Sequence, residues 1–146
     1  MPEFSSIQFF PPTRRAKYPH MMPLDVEVWE RFLDQYASLF LGFAYDVHVG
    51  TGMNPDPEWL PSIQRDAKRL TQYRIDVLAQ TTQGLFVIEV KPRPAIGVLG
   101  QVLGYMTLFK ADFNPSAAVY GAVVAQTIET DLRMLLTAQG ITAWTV

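Results

Sequence analysis

Three charged residues interrupt stretches that otherwise read as buried strands: Asp76, Glu89 and Lys91. Asp76 lies within Tyr73 to Ala79, and Glu89 and Lys91 follow the apolar run that starts at Leu85. Side chains alternate along a strand, so Glu89 and Lys91 share a face. Residues Thr81 to Gly84 supply a short turn, and the two strands it joins are most simply an antiparallel hairpin. Counting back from that turn sets Asp76 across from Glu89. Two carboxylates and an ammonium then meet at one edge of a sheet. Like charges buried together are costly unless a cation neutralises them. Carboxylate oxygens, a backbone carbonyl and waters are the ligands Mg²⁺ prefers. Such an ion activates water and neutralises charge on a phosphoryl group. Lys91, which cannot ligate while protonated, would stabilise charge in the transition state or orient the attacking water. The chemistry this trio suits is phosphodiester hydrolysis. The plainer alternative is a structural ion pair of Lys91 with Glu89 or Asp76.

The elements that must hold these residues can be read from periodicity. Residues 1–23 contain five prolines and no helical period, which predicts an extended arm packed through Phe9 and Phe10 on the domain or on a partner subunit. A helix is expected from Leu24-Asp25, with Asp25 as N-cap and Gly42 as terminator. Its apolar stripe is Val28, Trp29, Phe32, Leu33, Tyr36, Leu39 and Phe40. Phe43 to Val49 alternates as a strand, and Gly- and Pro-rich residues 50–62 form a loop. Glu58 to Leu70 reads as a short basic helix leading out of it. Strands are expected at Tyr73 to Ala79 and Leu85 to Val90, then a helix over Ile96 to Phe109 and a strand over Val119 to Ala125. A helix from Glu129 to Ala138, ended by Gly140, and a strand from Ile141 to Val146 complete the chain. The order implies an α/β domain over residues 24–146, a mixed sheet covered by helices. Trp59 and Trp144 are expected to pack rather than to stack on bases.

With 146 residues, 49% of them hydrophobic and 18% charged, the chain has the composition of one globular domain. The absence of cysteine excludes disulfides, thiol chemistry and thiolate metal sites. His20 and His48 are too few and too far apart in sequence to define a metal site. No signal peptide or membrane span is evident, and the expectation is a soluble, intracellular, cytoplasmic protein. The net charge of −2 does not advertise a nucleic-acid binder. Basic residues do cluster around Arg14, Arg15 and Lys17, and again at Arg65, Lys68, Arg69 and Arg74.

Asp76 followed by Glu89-Val90-Lys91, on a strand–turn–strand unit, resembles the D…(D/E)-x-K signature of the PD-(D/E)xK nuclease superfamily. Gln101 and Tyr105, on the helix after the lysine, resemble the Gln-x-x-x-Tyr motif of RecB-type and NucS-like members. Glu30-Arg31-Phe32-Leu33 resembles the Glu-Arg-x-Leu of archaeal Holliday-junction resolvases. The chain departs from the pattern in having Ile75 where many members place proline, and in residues 50–70, which look like an insertion. The resemblance implies a restriction-endonuclease-like α/β core and a Mg²⁺- or Mn²⁺-dependent deoxyribonuclease, an endonuclease of DNA repair or phage DNA metabolism. It implies metal ligands from Asp76, Glu89, the Val90 carbonyl and Glu30. Lys91 would be the catalytic cation, and Gln101 would position water or phosphate. Arg74, Arg93, Arg65, Lys68 and Arg69 are the candidates for phosphate contacts, with Tyr105 beside them on the nucleic acid. The expected partners are DNA and, from the apolar arm and the Phe- and Met-rich helix, a second copy of the chain. The alternative is a non-catalytic nucleic-acid-binding or scaffold protein of the same fold.

Overall fold

The computed structural model describes residues 2–146. The sheet has five strands in sequential order: β1 (Gly42–Val49), β2 (Tyr73–Gln80), β3 (Leu85–Val90), β4 (Val119–Ala125) and β5 (Thr142–Thr145). The first three are antiparallel neighbours, β3 returning along β2 through the short turn at Thr81 to Gly84 and β2 along β1 after a longer segment that holds a helix. The β3–β4 and β4–β5 pairs are parallel, each crossing over through a helix. Those helices are α3 (Gly97–Phe113) and α4 (Thr130–Ala138), while α1 (Pro23–Tyr36) precedes the sheet and α2 (Pro61–Thr71) joins β1 to β2. The mixed sheet flanked by helices is the architecture the sequence leads one to expect. Among the described residues, no helix is long and apolar enough to cross a membrane.

Helix α1 lays Val28, Trp29, Phe32 and Leu33 on one face of the sheet, against Phe43, Val77, Ala79, Ile88 and Val90. Helix α3 covers the other face through Phe109, against Val47, Val49, Ile75 and Val87. A third cluster joins Val98 and Val102 of α3 to Leu132 and Leu136 of α4 over β4. Strict alternation would keep Tyr45 and Val47 on one face, and likewise Ile75 and Val77. Instead Tyr45 and Val77 pack towards α1, whereas Val47 and Ile75 pack towards α3. The two strands cross from one face to the other at Asp46 and Asp76. Asp46 sits there with φ +54, a left-handed conformation that aspartate adopts more readily than bulky residues.

The local signals that misled are instructive. Pro23 occupies the first turn of α1, so Asp25 is its third residue rather than its cap. Its Oδ2 reaches back to accept the Met22 N–H at 3.0 Å. Helix α1 ends at Tyr36 and tightens into a 3₁₀ turn over Ala37–Leu39, and Gly42 opens β1 instead of closing a helix. Helix α2 begins at Pro61, not Glu58, and buries no residue. Helix α3 runs four residues past Phe109, to Phe113. Trp144 packs against Phe32 and Phe40 as expected, but Trp59 remains exposed. The N-terminal arm lies on its own domain: Phe10 and Phe43 exchange backbone hydrogen bonds of 2.8 and 2.9 Å at the free edge of β1.

Candidate active site

The β2–β3 ladder pairs Val77 with Ile88, and the same register carried one residue further sets Asp76 opposite Glu89. At that point the strands part. The Val90 N–H donates to Asp76 Oδ2 at 2.9 Å, and the Asp76 N–H donates to Glu89 Oε1 at 3.4 Å. Each carboxylate thus takes an amide of the neighbouring strand and wedges the ladder into a fork. On the other side, the β1–β2 register passes from Tyr45–Val77 to Val47–Ile75 without pairing Asp46 and Asp76. Asp76 is 8% exposed and Glu89 2%, the two charged residues in the core.

Burial, then the neighbouring Asp76 carboxylate, pushes Glu89 up to about 9. Burial likewise raises Asp76, opposed by the Val90 amide, by its hydrogen bond with Glu89 and by Lys91. Without added positive charge the pair holds a proton near neutrality. Lys91 contributes its charge from a distance. The ion pairs of the described residues are Arg14 with Glu30 and Asp34, and Arg74 and His48 with Asp46, and Lys91 belongs to none of them. The structural ion pair that the sequence also allowed is therefore not formed.

Helix α3 closes one side of the fork. The Tyr105 hydroxyl is raised by burial and then by the Glu89 carboxylate, with Gln101 opposing the shift. Gln101, Lys91 and Arg93 line one cavity of about 400 Å³. Lys91, Gln101 and Tyr105 therefore gather on the side of the two acids, and exposed Arg93 lines the cavity that Lys91 and Gln101 share. Glu30 does not. Its carboxylate lies 3.8 Å from the Arg14 guanidinium and lines a separate cavity with Arg15 and Tyr18. No group of three His, Cys, Asp or Glu stands close enough to hold a metal among the described residues. The α1 acid whose field reaches Asp76 is Asp25. Arg74 is also not free for phosphate, because its Nε and Nη2 donate to Asp46 at 2.6 and 2.7 Å. Arg65, Lys68 and Arg69 are exposed along α2 and make no ion pair among the described residues.

Sequence reasoning missed Asp46 and His48. Asp46 would be raised by burial but is held below its usual value by the Arg74 hydrogen bonds and charge, with His48 helping. The signal was available, since Asp46 interrupts an apolar strand as Asp76 does. His48 places Nδ1 3.0 Å from the Arg69 carbonyl and Nε2 3.6 Å from Asp46, tying the end of α2 to β1.

The fold is shared with two solved structures. The repair endonuclease from Pyrococcus abyssi superposes on 90% of this chain with a TM-score of 0.52 at 16% identity. The EndoMS–dsDNA2 complex superposes on 91% with a TM-score of 0.50, also at 16% identity. At that identity the likeness concerns the fold, and the chain spans 49% of the length of each. Comparison with curated proteins finds no match. Residues 61–146, more than half of the chain, match the endonuclease NucS C-terminal domain, and the chain belongs to that family.

Proposed function

We propose that the chain is the catalytic domain of a divalent-metal-dependent DNA endonuclease of the PD-(D/E)xK kind. The observation that carries the reading is the fork. Two acids are buried side by side, neither in an ion pair among the described residues, and one is shifted to about 9. A buried pair of this kind is costly as a structural feature and suited to a site that receives a cation. Membership of the NucS C-terminal domain family supports DNA as the substrate, as does the double-stranded DNA held by the EndoMS relative.

The donor set fits Mg²⁺ or Mn²⁺. Mg²⁺ is commonly bound through one or two carboxylates while keeping several waters, so two acids suffice without a third protein acid. Asp76, Glu89 and the Val90 carbonyl would hold the ion. When bound it supplies an acidified water and charge neutralisation at the phosphoryl group. Lys91, unpaired in the fork, stabilises negative charge developing on the phosphate. Gln101 orients water or a phosphate oxygen, and Arg93 and the α2 cluster of Arg65, Lys68 and Arg69 contact the DNA backbone. The burial of Glu89 keeps its carboxyl protonated near neutrality, and a bound cation would favour the ionised form.

Incubation of the purified chain with labelled single-stranded, duplex and branched DNA, with Mg²⁺, Mn²⁺ or EDTA, tests the proposal. Metal-dependent cutting that disappears in Lys91→Ala is the expected result. Cutting that persists undiminished in that variant would overturn it.

A further inference from the structure

Helix α2 holds its place without packing. It is 11 residues long and buries none of them, whereas a helix shorter than about 12–15 residues is marginal in water unless an apolar face is packed. Hydrogen bonds near its two ends tether it instead. The Gln64 amide donates to the Pro57 and Trp59 carbonyls, Thr71 Oγ1 accepts the Met53 N–H at 2.7 Å, and the His48 ring reaches the Arg69 carbonyl. The helix nevertheless has two distinct sides. At about 100° per residue, Leu60 at its N-cap, Ile63, Ala67 and Leu70 fall on one side, at spacings of three, four and three. Leu60 is 66% exposed, Ile63 48% and Leu70 73%. Arg65, Lys68 and Arg69 fall on the other side, and exposed Asp66 is the charge at the margin of the stripe.

We propose that a second copy of the chain covers this stripe, the two α2 helices packing antiparallel about a two-fold axis. The spacing reads the same from either end, so an inverted copy falls into register: Leu60 meets Leu70 of the second copy, and Ile63 meets its Ala67. Large then faces small at the centre, which lets the two helices interdigitate. Charge placement separates the possible occupants. The three cations lie away from the contact, so pairing two copies does not drive them together, as a self-complementary interface requires. DNA suits the opposite, basic side, because phosphates gain nothing from an aliphatic stripe. The N-terminal arm, one surface the sequence suggested for a partner subunit, packs on its own domain. One short helix on its copy is at the small end of specific interfaces, below about 1,200 Å² in total, so the pairing is reversible and depends on concentration. Helix α2 leads into β2 at Tyr73, close before Asp76. Pairing therefore ties the two acid forks to one two-fold axis, the symmetry that relates the strands of a duplex. That consequence, unlike the pairing itself, rests on the nuclease reading above.

The chain has no cysteine, so disulfides introduced at chosen positions form without background. A mixture of Leu60→Cys and Leu70→Cys, mildly oxidised, should join the two variants to each other. Neither alone should cross-link, because like positions lie about 15 Å apart at opposite ends of an antiparallel pair. Sedimentation of the unmodified chain should show monomer giving way to dimer as concentration rises, and Ile63→Asp should raise the dissociation constant about tenfold or more. Circular dichroism should show Ile63→Asp folded, since no residue of α2 is buried. A chain that stays monomeric at every concentration and yields no cross-link would overturn the proposal. So would a dimer that survives Ile63→Asp, or cross-links that form within a single variant. Duplex cleavage by the cross-linked dimer reads the other question separately: cross-links formed as expected with no cutting would leave the pairing standing and sink the nuclease reading.

Discussion

Asp46 and Asp76 stand opposite each other on adjacent strands, both interrupt apolar runs, and the chain treats them in opposite ways. Asp46 has its counter-charge built in: Arg74 grips it with two short hydrogen bonds, and its carboxyl is held below the usual range. Asp76 has a second acid instead, and both carboxyls are raised. One acid is finished by folding and the other is left open. A charge inside a strand is not by itself a functional sign. What separates the two is whether the chain supplies the neutralising partner.

The largest effect should come from the open pair. Lys91→Ala is expected to lower metal-dependent cleavage by about 10²–10³-fold, the scale of losing one charged stabiliser of a transition state. Thermal unfolding should be almost unchanged, because Lys91 makes no ion pair among the described residues. Glu89→Gln comes next. The folded-state value of Glu89 lies above the ordinary 4.5, so its stabilising protonated form is fully present below pH 4.5. That contribution is lost as pH rises towards about 9. The metal-free chain should therefore lose Tm steadily over that window, and Glu89→Gln should flatten the slope. Saturating Mg²⁺ should raise Tm at pH 8 in the unmodified chain, the stabilisation being about 2.7 kcal/mol at a hundredfold excess over Kd. Glu89→Gln should abolish that rise, and a Mg²⁺ response that survives would show that the two acids are not where the ion binds.

The finished acid should respond to stability measurements alone. Asp46→Asn keeps a residue that tolerates φ +54 but removes the charge, and Arg74 is about a third exposed. Screening by solvent limits the loss to about 1 kcal/mol, or roughly 2–4 °C in Tm. If Asp46→Asn instead removed cleavage while leaving Tm intact, the contrast between the two acids would collapse. The smallest effect should be that of His48→Ala. It frees the Arg69 carbonyl and should cost less than about 1 kcal/mol, with faster amide exchange confined to the end of α2.

The contrast also marks what could be read from sequence. The opposition of Asp76 and Glu89 follows from a turn four residues long, and local geometry of that kind transmits reliably along two strands. The bounds of β3 and β4 were legible because buried strands are sharply apolar. Arg74 was misjudged as free because its partner lies 28 residues earlier in the chain, on a strand whose register no local pattern specifies. Glu30 was misplaced because helical phase alone does not say which way the edge of a stripe turns, and here it turns towards Arg14. Asp25 reads as a cap in the sequence because Pro23 hides the true start of α1. The role of Trp59 failed for a different reason: its segment buries nothing, so apolar content there predicts no packing.

The Phe10–Phe43 bridge has a consequence for how this molecule behaves in a tube or a cell. Strand β1 ends the sheet, and an uncovered edge offers its amides to any other chain. A few residues of arm, pinned by two hydrogen bonds, shield part of that edge. Trimming residues 2–10 would remove Phe4, Ile7 and Phe9, which pack on the core from outside it, and would expose a template for intermolecular pairing. The shortened protein should fail first through clumping at high concentration, long before it fails through melting.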